Sequence, residues 1–288
     1  MSRLRIQHRT SYHYHQPVHL GPHRLMLRPR ESLDLRLITN SVTVTPAAAL
    51  TWAHDVFGNT VGTASFSTMA DSLIIDSITE LDLHAEAWPI FAVDVSAMSY
   101  PFRYSDDEWT DLGALTLPQY PDPEGRLRNW ARAFIASNPT DTLALLKDLS
   151  AGVSGWVGYR SREDEGTRSP TETLEHGWGS CRDFAVLFIE AARSLGFGAR
   201  IVSGYLHNPD HDRLGSQDAG STHAWAEVYV PGAGWITFDP TNRCVGSFNL
   251  IPVAVARHIH QAMPVSGSFA GPAEACAEML IAVTITEL

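Results

Sequence analysis

Cysteine is scarce in this chain: three in 288 residues, Cys181, Cys244 and Cys276. The number is odd and the spacings are wide, so no disulfide framework is expected, and no CxxC pair supplies half of a zinc site. Long apolar runs are also missing. No stretch approaches the roughly 18–20 residues that a membrane helix needs, and the opening MSRLRIQHRTSYHYH has no apolar signal core. Together these absences predict reduced thiols in a cytoplasmic protein with no membrane partner. Basic charge is in short supply too. Lys and Arg total 21 against 32 Asp and Glu, a formal charge of −11, which argues against nucleic acid or an anionic membrane as the main partner. The arginines between Arg24 and Arg36 are interleaved with Leu and Pro and read as a solvated strand edge. HExxH, P-loop and GxGxxG are absent, and no cofactor is expected.

What is present is the composition of an ordinary globular protein, 44% hydrophobic and 18% charged, at a length comfortable for two domains. The first hundred residues read as short strands. Leu4, Ile6 and His8 alternate with Arg3, Arg5 and Gln7, and the runs LRLITNSVTVT, ALTWAHDVF, TVGTASFS and SLIIDSITELDL follow. Phe57-Gly58-Asn59 marks a hairpin turn and Pro46 ends a strand. This spacing predicts a β-sandwich over residues 1–100. A Pro-rich stretch at 101–122 reads as a linker with few helices or strands. Residues 123–288 then read as a second, α+β domain. Asp122 can cap a helix with Pro123 at its first position, whose apolar face is Leu127, Trp130, Ala131, Phe134 and Ile135. A second helix is expected through Leu143, Leu146, Leu149 and Val153. The charged stretch SREDEGTRSP reads as a loop.

The helix that carries chemistry begins at Cys181. Ser180 is a good N-cap, and Asp183 three residues on completes a capping box. Cys181, Phe184, Ala185, Phe188, Ala192 and Leu195 form one stripe, ended by Gly196. The thiolate is the nucleophilic form of cysteine, and a helix N-terminus favours negative charge. Three strands follow: ARIVSGYL, HAWAEVYV and WITFDPT. His223 opens the second, sharing a face with Trp225 and Glu227, and an imidazole there can take a thiol proton and return it to a leaving amine. Asp239 ends the third strand, where a carboxylate could orient that ring. Register decides this. A symmetric four-residue loop at Pro231–Gly234 would set Asp239 opposite Ala226, on the wrong face. A three- or five-residue loop, or a bulge at Gly232 or Gly234, would set it opposite Trp225 and diagonal to His223. The odd register is the one predicted.

The residues GWGSCRDFAVLFIEAARSLGFGARIVSGYL and STHAWAEVYVPGAGWITFDPTN resemble the transglutaminase-like core superfamily. There a Cys at a helix start, a His opening a strand and an Asp in a following F-D-P-T form the triad, matching Cys181, His223 and Asp239 here. LRIQHRTSYHYHQPV, MPVSGSF and MLIAVTITEL resemble a bacterial branch with a β-sandwich before this core, often described as presumed cysteine proteases. The resemblance implies an N-terminal β-sandwich, a papain-like α+β core with MLIAVTITEL as a late strand, and acyl transfer through a thioester on Cys181. Its expected substrate is a peptide or protein. The backbone N–H of Cys181 is a natural oxyanion donor, with Trp178 and Trp225 as candidates for further oxyanion or substrate contacts. Where many classical transglutaminases have Gln before the Cys, this chain has Ser180, a departure that weakens a crosslinking role.

Other readings stand beside this one. His8, His13, His15, His19 and His23 crowd the N-terminus, but no Cys or acidic partner sits at ligand spacing, and no metal site is expected. Tyr205 reads as a core aromatic, and Asp183 as a cap. Besides hydrolysis, the same scaffold could support transamidation, peptide binding without catalysis, or acyl transfer from a thioester donor.

Overall fold

The computed structural model describes residues 2–162, 166–210, 213–214 and 220–288. Strand β1 (Ser2–Leu20) shows how the N-terminal region forms: Leu4, Ile6, His8 and Thr10 are buried while Arg3, Arg5, Gln7 and Arg9 point out, the two-residue period of a half-buried strand. It is followed by β2 (His23–Leu25), β3 (Leu35–Thr45), β4 (Ala49–His54), β5 (Thr60–Ser65) and β6 (Met69–Leu83). Strand β6 lies between β1 and β3 in one antiparallel sheet, and β5 lies between β2 and β4 in another. The two sheets share an apolar cluster that includes Tyr14, Val18, Leu25, Leu73 and Ile75. Arg24–Arg36 is not the solvated edge expected. Leu25, Met26, Leu27 and Leu35 within it are buried, and Arg30 donates to Phe57 O and Asn59 Oδ1.

The stretch expected as a linker is folded. It holds helix α1 (Asp106–Leu112) and a short 3-10 turn, Gly113–Thr116. Ser105 and Glu108 form a capping box, with acidic residues filling the first turn. The backbone N–H groups of Gln119 and Tyr120 donate to Glu190, a buried carboxylate that also pairs with Arg193 at 2.6 Å. Helix α2 spans Arg126–Arg132, starting later than Pro123. Asp122 still caps it, from outside, accepting the N–H groups of Leu127 and Arg128. Helices α3 (Thr142–Trp156), α4 (Pro170–His176) and α5 (Cys181–Ser194) complete the set among the described residues. The SREDEGTRSP loop lies partly outside them.

Helix α5 packs on a second antiparallel system: β7 (Ala199–His207), β8 (Gly220–Val230), β9 (Gly234–Asp239), β10 (Cys244–Val245) and β11 (Leu250–Ala256), in the order β10-β9-β8-β7-β11. Ala224, Ala226 and Val228 of β8 share the core with Phe184, Ala185, Phe188 and Ala192 of α5, and the Phe188 and Phe238 rings lie 5.2 Å apart. Small residues on the strand let a Phe-bearing helix sit close. Among the described residues no helix is long and apolar enough to cross a membrane.

The chain then returns to where it began. Strands β12 (Val265–Ser266), β13 (Phe269–Ala270) and β14 (Cys276–Glu287) pair with β2, β1 and β1 respectively. The terminal strand is thus a late strand, but it belongs to the first sheet, so the expected unit 123–288 gives up its C-terminal end to the N-terminal one. Among the polar contacts that fasten the units, two are made by fully or nearly fully buried side chains of the N-terminal one. His8 Nδ1 and Tyr205 Oη are 2.9 Å apart and buried, and burial holds the His8 ring neutral, its pKa pushed down to about 4. Asn59, in the predicted hairpin turn, is fully buried. Its Nδ2 donates to Val255 O at 2.7 Å and its Oδ1 accepts Val255 N–H at 2.9 Å, replacing a strand neighbour at the edge of β11.

Replacing Asn59 with Ala leaves both Val255 backbone groups unpaired in the interior, at about 1–3 kcal/mol each. Asn59→Ala is therefore expected to lower stability by about 2–4 kcal/mol in urea denaturation followed by tryptophan fluorescence. A loss under about 0.5 kcal/mol would contradict this role for the side chain.

Candidate active site

The site is built from the start of α5 outward. Helix α4 ends in Gly177 with φ 66°, a left-handed C-cap. The chain then runs straight through Trp178–Gly179, paired in parallel with Gly158–Tyr159. At Ser180 it turns into α5. Ser180 N–H and Oγ–H donate to Asp183 Oδ2 at 2.8 and 2.9 Å. Asp183 is fully buried, and its Oδ1 accepts Arg168 N–H at 2.9 Å and Arg162 Nη2 at 3.2 Å. The capping reading of Asp183 is thus what the structure shows. A Cβ on Gly179 would lie 2.9 Å from the Asp183 Cβ, so glycine is needed there for the cap to close. Cys181 occupies the first helical position, half-buried, with a free thiol.

Opposite the helix start, register brings the other two groups together. Val230 pairs with Gly234 and Ala226 with Phe238. The connecting loop is therefore the three residues Pro231–Ala233, and Asp239 falls opposite Trp225, diagonal to His223, in the odd register. His223 Nε2 lies 2.9 Å from Asp239 Oδ2, both side chains almost wholly buried. The carboxylate also accepts Thr241 N–H at 3.0 Å, Asn242 N–H at 3.4 Å and Asn242 Nδ2 at 2.8 Å. The ring's other nitrogen, Nδ1, is buried without a formed hydrogen bond. The thiol of Cys181 is the polar group that bears on it. Gly204 pairs with His223, and a Cβ there would lie 2.1 Å from Ile251 O and 2.8 Å from the Trp225 ring.

The electrostatics follow from these positions. Burial works to raise the Cys181 pKa, but the His223 ring and its charge, the Ala224 N–H and nearby Arg182 outweigh it, and the pKa falls below the ordinary value. Burial works to lower that of His223, and the charge and hydrogen bond of Asp239, with Cys181, raise it well above 6.5. Asp239 is held low against its own burial by His223 and Asn242. The arrangement stabilises a thiolate beside an imidazolium backed by a carboxylate.

The two tryptophans differ in exposure. Trp225 is buried, 1% exposed, among Val202, Leu206, Leu250 and Val255. It stacks behind the His223 ring at 6.2 Å and backs the imidazole instead of lining a groove. Trp178 is half-exposed, its indole close to the guanidinium groups of Arg168 at 3.7 Å and Arg160 at 5.1 Å, and its carbonyl accepts Arg168 Nη1. Tyr205 is a core residue, 3% exposed. The N-terminal histidines do not converge. His8 is buried against Tyr205 and His23 against Gly21 O, and among the described residues no group of three ligating side chains could hold a metal ion.

Two residues near the site escaped sequence reasoning. Tyr159 lies close to Cys181 and Asp239. Burial first, then the thiolate's charge, pushes its pKa up to about 12. It owes its place to a two-residue parallel pairing that leaves no periodic signal. Asn242 was visible, three residues past Asp239 in D-P-T-N, where Asx side chains often bond back to a turn.

With this geometry in hand, comparison with known proteins is informative. Residues 4–82 match the bacterial transglutaminase-like N-terminal region and residues 128–240 match the core of the transglutaminase-like superfamily. An uncharacterized protein of Mycobacterium tuberculosis is 29% identical over 278 residues, covering 92% of this chain and 87% of its own. One of Mycobacterium leprae is 25% identical over 291 residues, covering 99% of each. Among solved structures, a presumed cysteine protease from Cytophaga hutchinsonii is 19% identical, with a TM-score of 0.76 over 100% of this chain and 91% of that one, so the two share a fold. The chain thus carries, in this order, a bacterial transglutaminase-like N-terminal region and a transglutaminase-like core.

Proposed function

We propose that this protein is a cysteine peptidase or amidase that cleaves amide bonds of a peptide or protein substrate through Cys181, His223 and Asp239. The observation that carries the reading is the buried His223–Asp239 pair, whose ring interacts with the half-buried Cys181 at a helix N-terminus. The Cys181 thiolate attacks the carbonyl carbon, and the backbone N–H of Cys181, at a helix position with no intrahelical partner, receives the oxyanion. His223 Nδ1–H gives its proton to the departing amine, leaving a thioester on Sγ. A water then loses a proton to Nδ1 and attacks the thioester, releasing the acid and restoring the thiolate. An amine in place of that water would give transamidation by the same steps. Asp239 keeps the ring oriented and its charged form stable.

Cys181→Ala is expected to abolish turnover of any peptide found in a library screen, by at least about 10³-fold, with the melting temperature unchanged within a few degrees. Retained turnover would remove Cys181 from the mechanism. A second test uses charge. Because the Cys181 pKa is depressed, the fraction of thiolate persists as pH falls below the ordinary thiol range. Iodoacetamide at pH 6–7, where an unperturbed thiol is mostly protonated, should alkylate Cys181 at least about tenfold faster than the exposed Cys276, as mapped by mass spectrometry. A Cys181 rate that rises only through about pH 8.5, as for an unperturbed thiol, would contradict the resting ion pair.

A further inference from the structure

We propose that Asn242 is a positioning residue of this site: its side-chain amide locks the Asp239 carboxylate in the orientation that holds the His223 ring. The inference rests on the function proposed above and adds a fourth side chain to it. Asp239 Oδ2 accepts two donors, His223 Nε2 at 2.9 Å and Asn242 Nδ2 at 2.8 Å. Its Oδ1 accepts two backbone N–H groups, those of Thr241 and Asn242. With both oxygens engaged on both sides, the carboxylate cannot rotate about its Cβ–Cγ bond without losing bonds in a buried place, where each loss is costly.

The direction of the Asn242 amide is itself fixed. Its Oδ1 accepts Leu214 N–H at 2.8 Å, and its Nδ2 donates both to Asp239 Oδ2 at 2.8 Å and to Leu214 O at 3.4 Å, so the oxygen is engaged by Leu214 and only the NH₂ group can serve the carboxylate. The bond network settles which atom is which. An amide is well suited to this task. It donates to the carboxylate without carrying a charge, so it stabilises the anion and leaves the negative charge available to the imidazolium. A Lys or Arg in its place would compete with His223 for that charge.

Removing the Asn242 donor therefore takes away one of the four hydrogen bonds that hold the carboxylate, loosens it on the Oδ2 side that meets the ring, and weakens its hold on the protonated ring. The charged and titratable groups bearing on the His223–Asp239 pair are Cys181 from α5 and Tyr159 from the short parallel strand, with Arg182 beside the thiol. Asn242→Ala leaves all of these in place. A role limited to anchoring Leu214 would alter stability and not the ring's proton affinity.

The test is titration of the His223 ring in the full-length chain by NMR, comparing wild type with Asn242→Ala and Asn242→Ser, with melting temperatures taken alongside. The apparent pKa of His223 is expected to fall by about one unit or more in Asn242→Ala, a tenfold loss of proton affinity, and by less in Asn242→Ser, whose hydroxyl can still donate. Should Asn242→Ala fail to fold, a fall in folded Asn242→Ser carries the proposal. A ring in the folded variants that titrates within about 0.3 units of wild type overturns it. If the wild-type ring itself titrates near about 6.5, the ion pair and the proposed function fall together, a result distinct from an unchanged variant.

Discussion

A histidine and an aspartate buried side by side set the constraint around which this site is built. Two ionisable groups taken out of water are tolerated only when paired and fully hydrogen-bonded, and His223 and Asp239 meet that condition on every polar atom but one. The exception is Nδ1 of the ring, and Cys181 is the group that acts on the imidazole besides Asp239. The surrounding structure serves this pairing. A three-residue turn between β8 and β9 sets the register, Gly204 leaves room where a Cβ would strike Ile251 and Trp225, and the Trp225 ring supports the imidazole from behind.

The thiol's side of the site depends on a different economy of charge. A carboxylate two residues from a nucleophilic cysteine would normally oppose its ionisation. Asp183 is buried, turned back onto the Ser180 cap and paired with Arg162. Its charge is spent on shaping the helix start. Behind it, α5 is gripped along its length, by Phe and Ala packing against β8 and by the buried Glu190–Arg193 pair, whose partners lie in the 115–120 stretch and at Ala199 and Arg257. A helix so held offers a fixed N-terminus, which the role proposed for Cys181 requires.

Much of this could be read from the residues. The capping box S-C-R-D, the apolar stripe of α5 and the alternation in β8 each have a local cause, and the odd register followed from asking which face Asp239 must occupy. What could not be read was set at long range. Pro residues between 101 and 121 suggested a linker, yet the Ser105/Glu108 box and the Glu190 carboxylate organise that stretch. MLIAVTITEL had the pattern of a strand, but nothing local says that it pairs with residues 4–14 at the opposite end of the chain. Trp225 looked like a groove residue because its face is that of His223; only the packing of β7 and β11 against it shows that this face is covered. The Asn59 turn was legible as a turn and not as a bolt between the two units.

The account stands on a charged pair existing before any substrate arrives. Ultraviolet difference absorbance between the wild-type protein and Cys181→Ala, followed across pH, reads the thiolate directly. A thiolate band already present at pH 7, and lost only in acid, is the result expected. A band that emerges only on the approach to about pH 9, as for a solvated thiol, would contradict it.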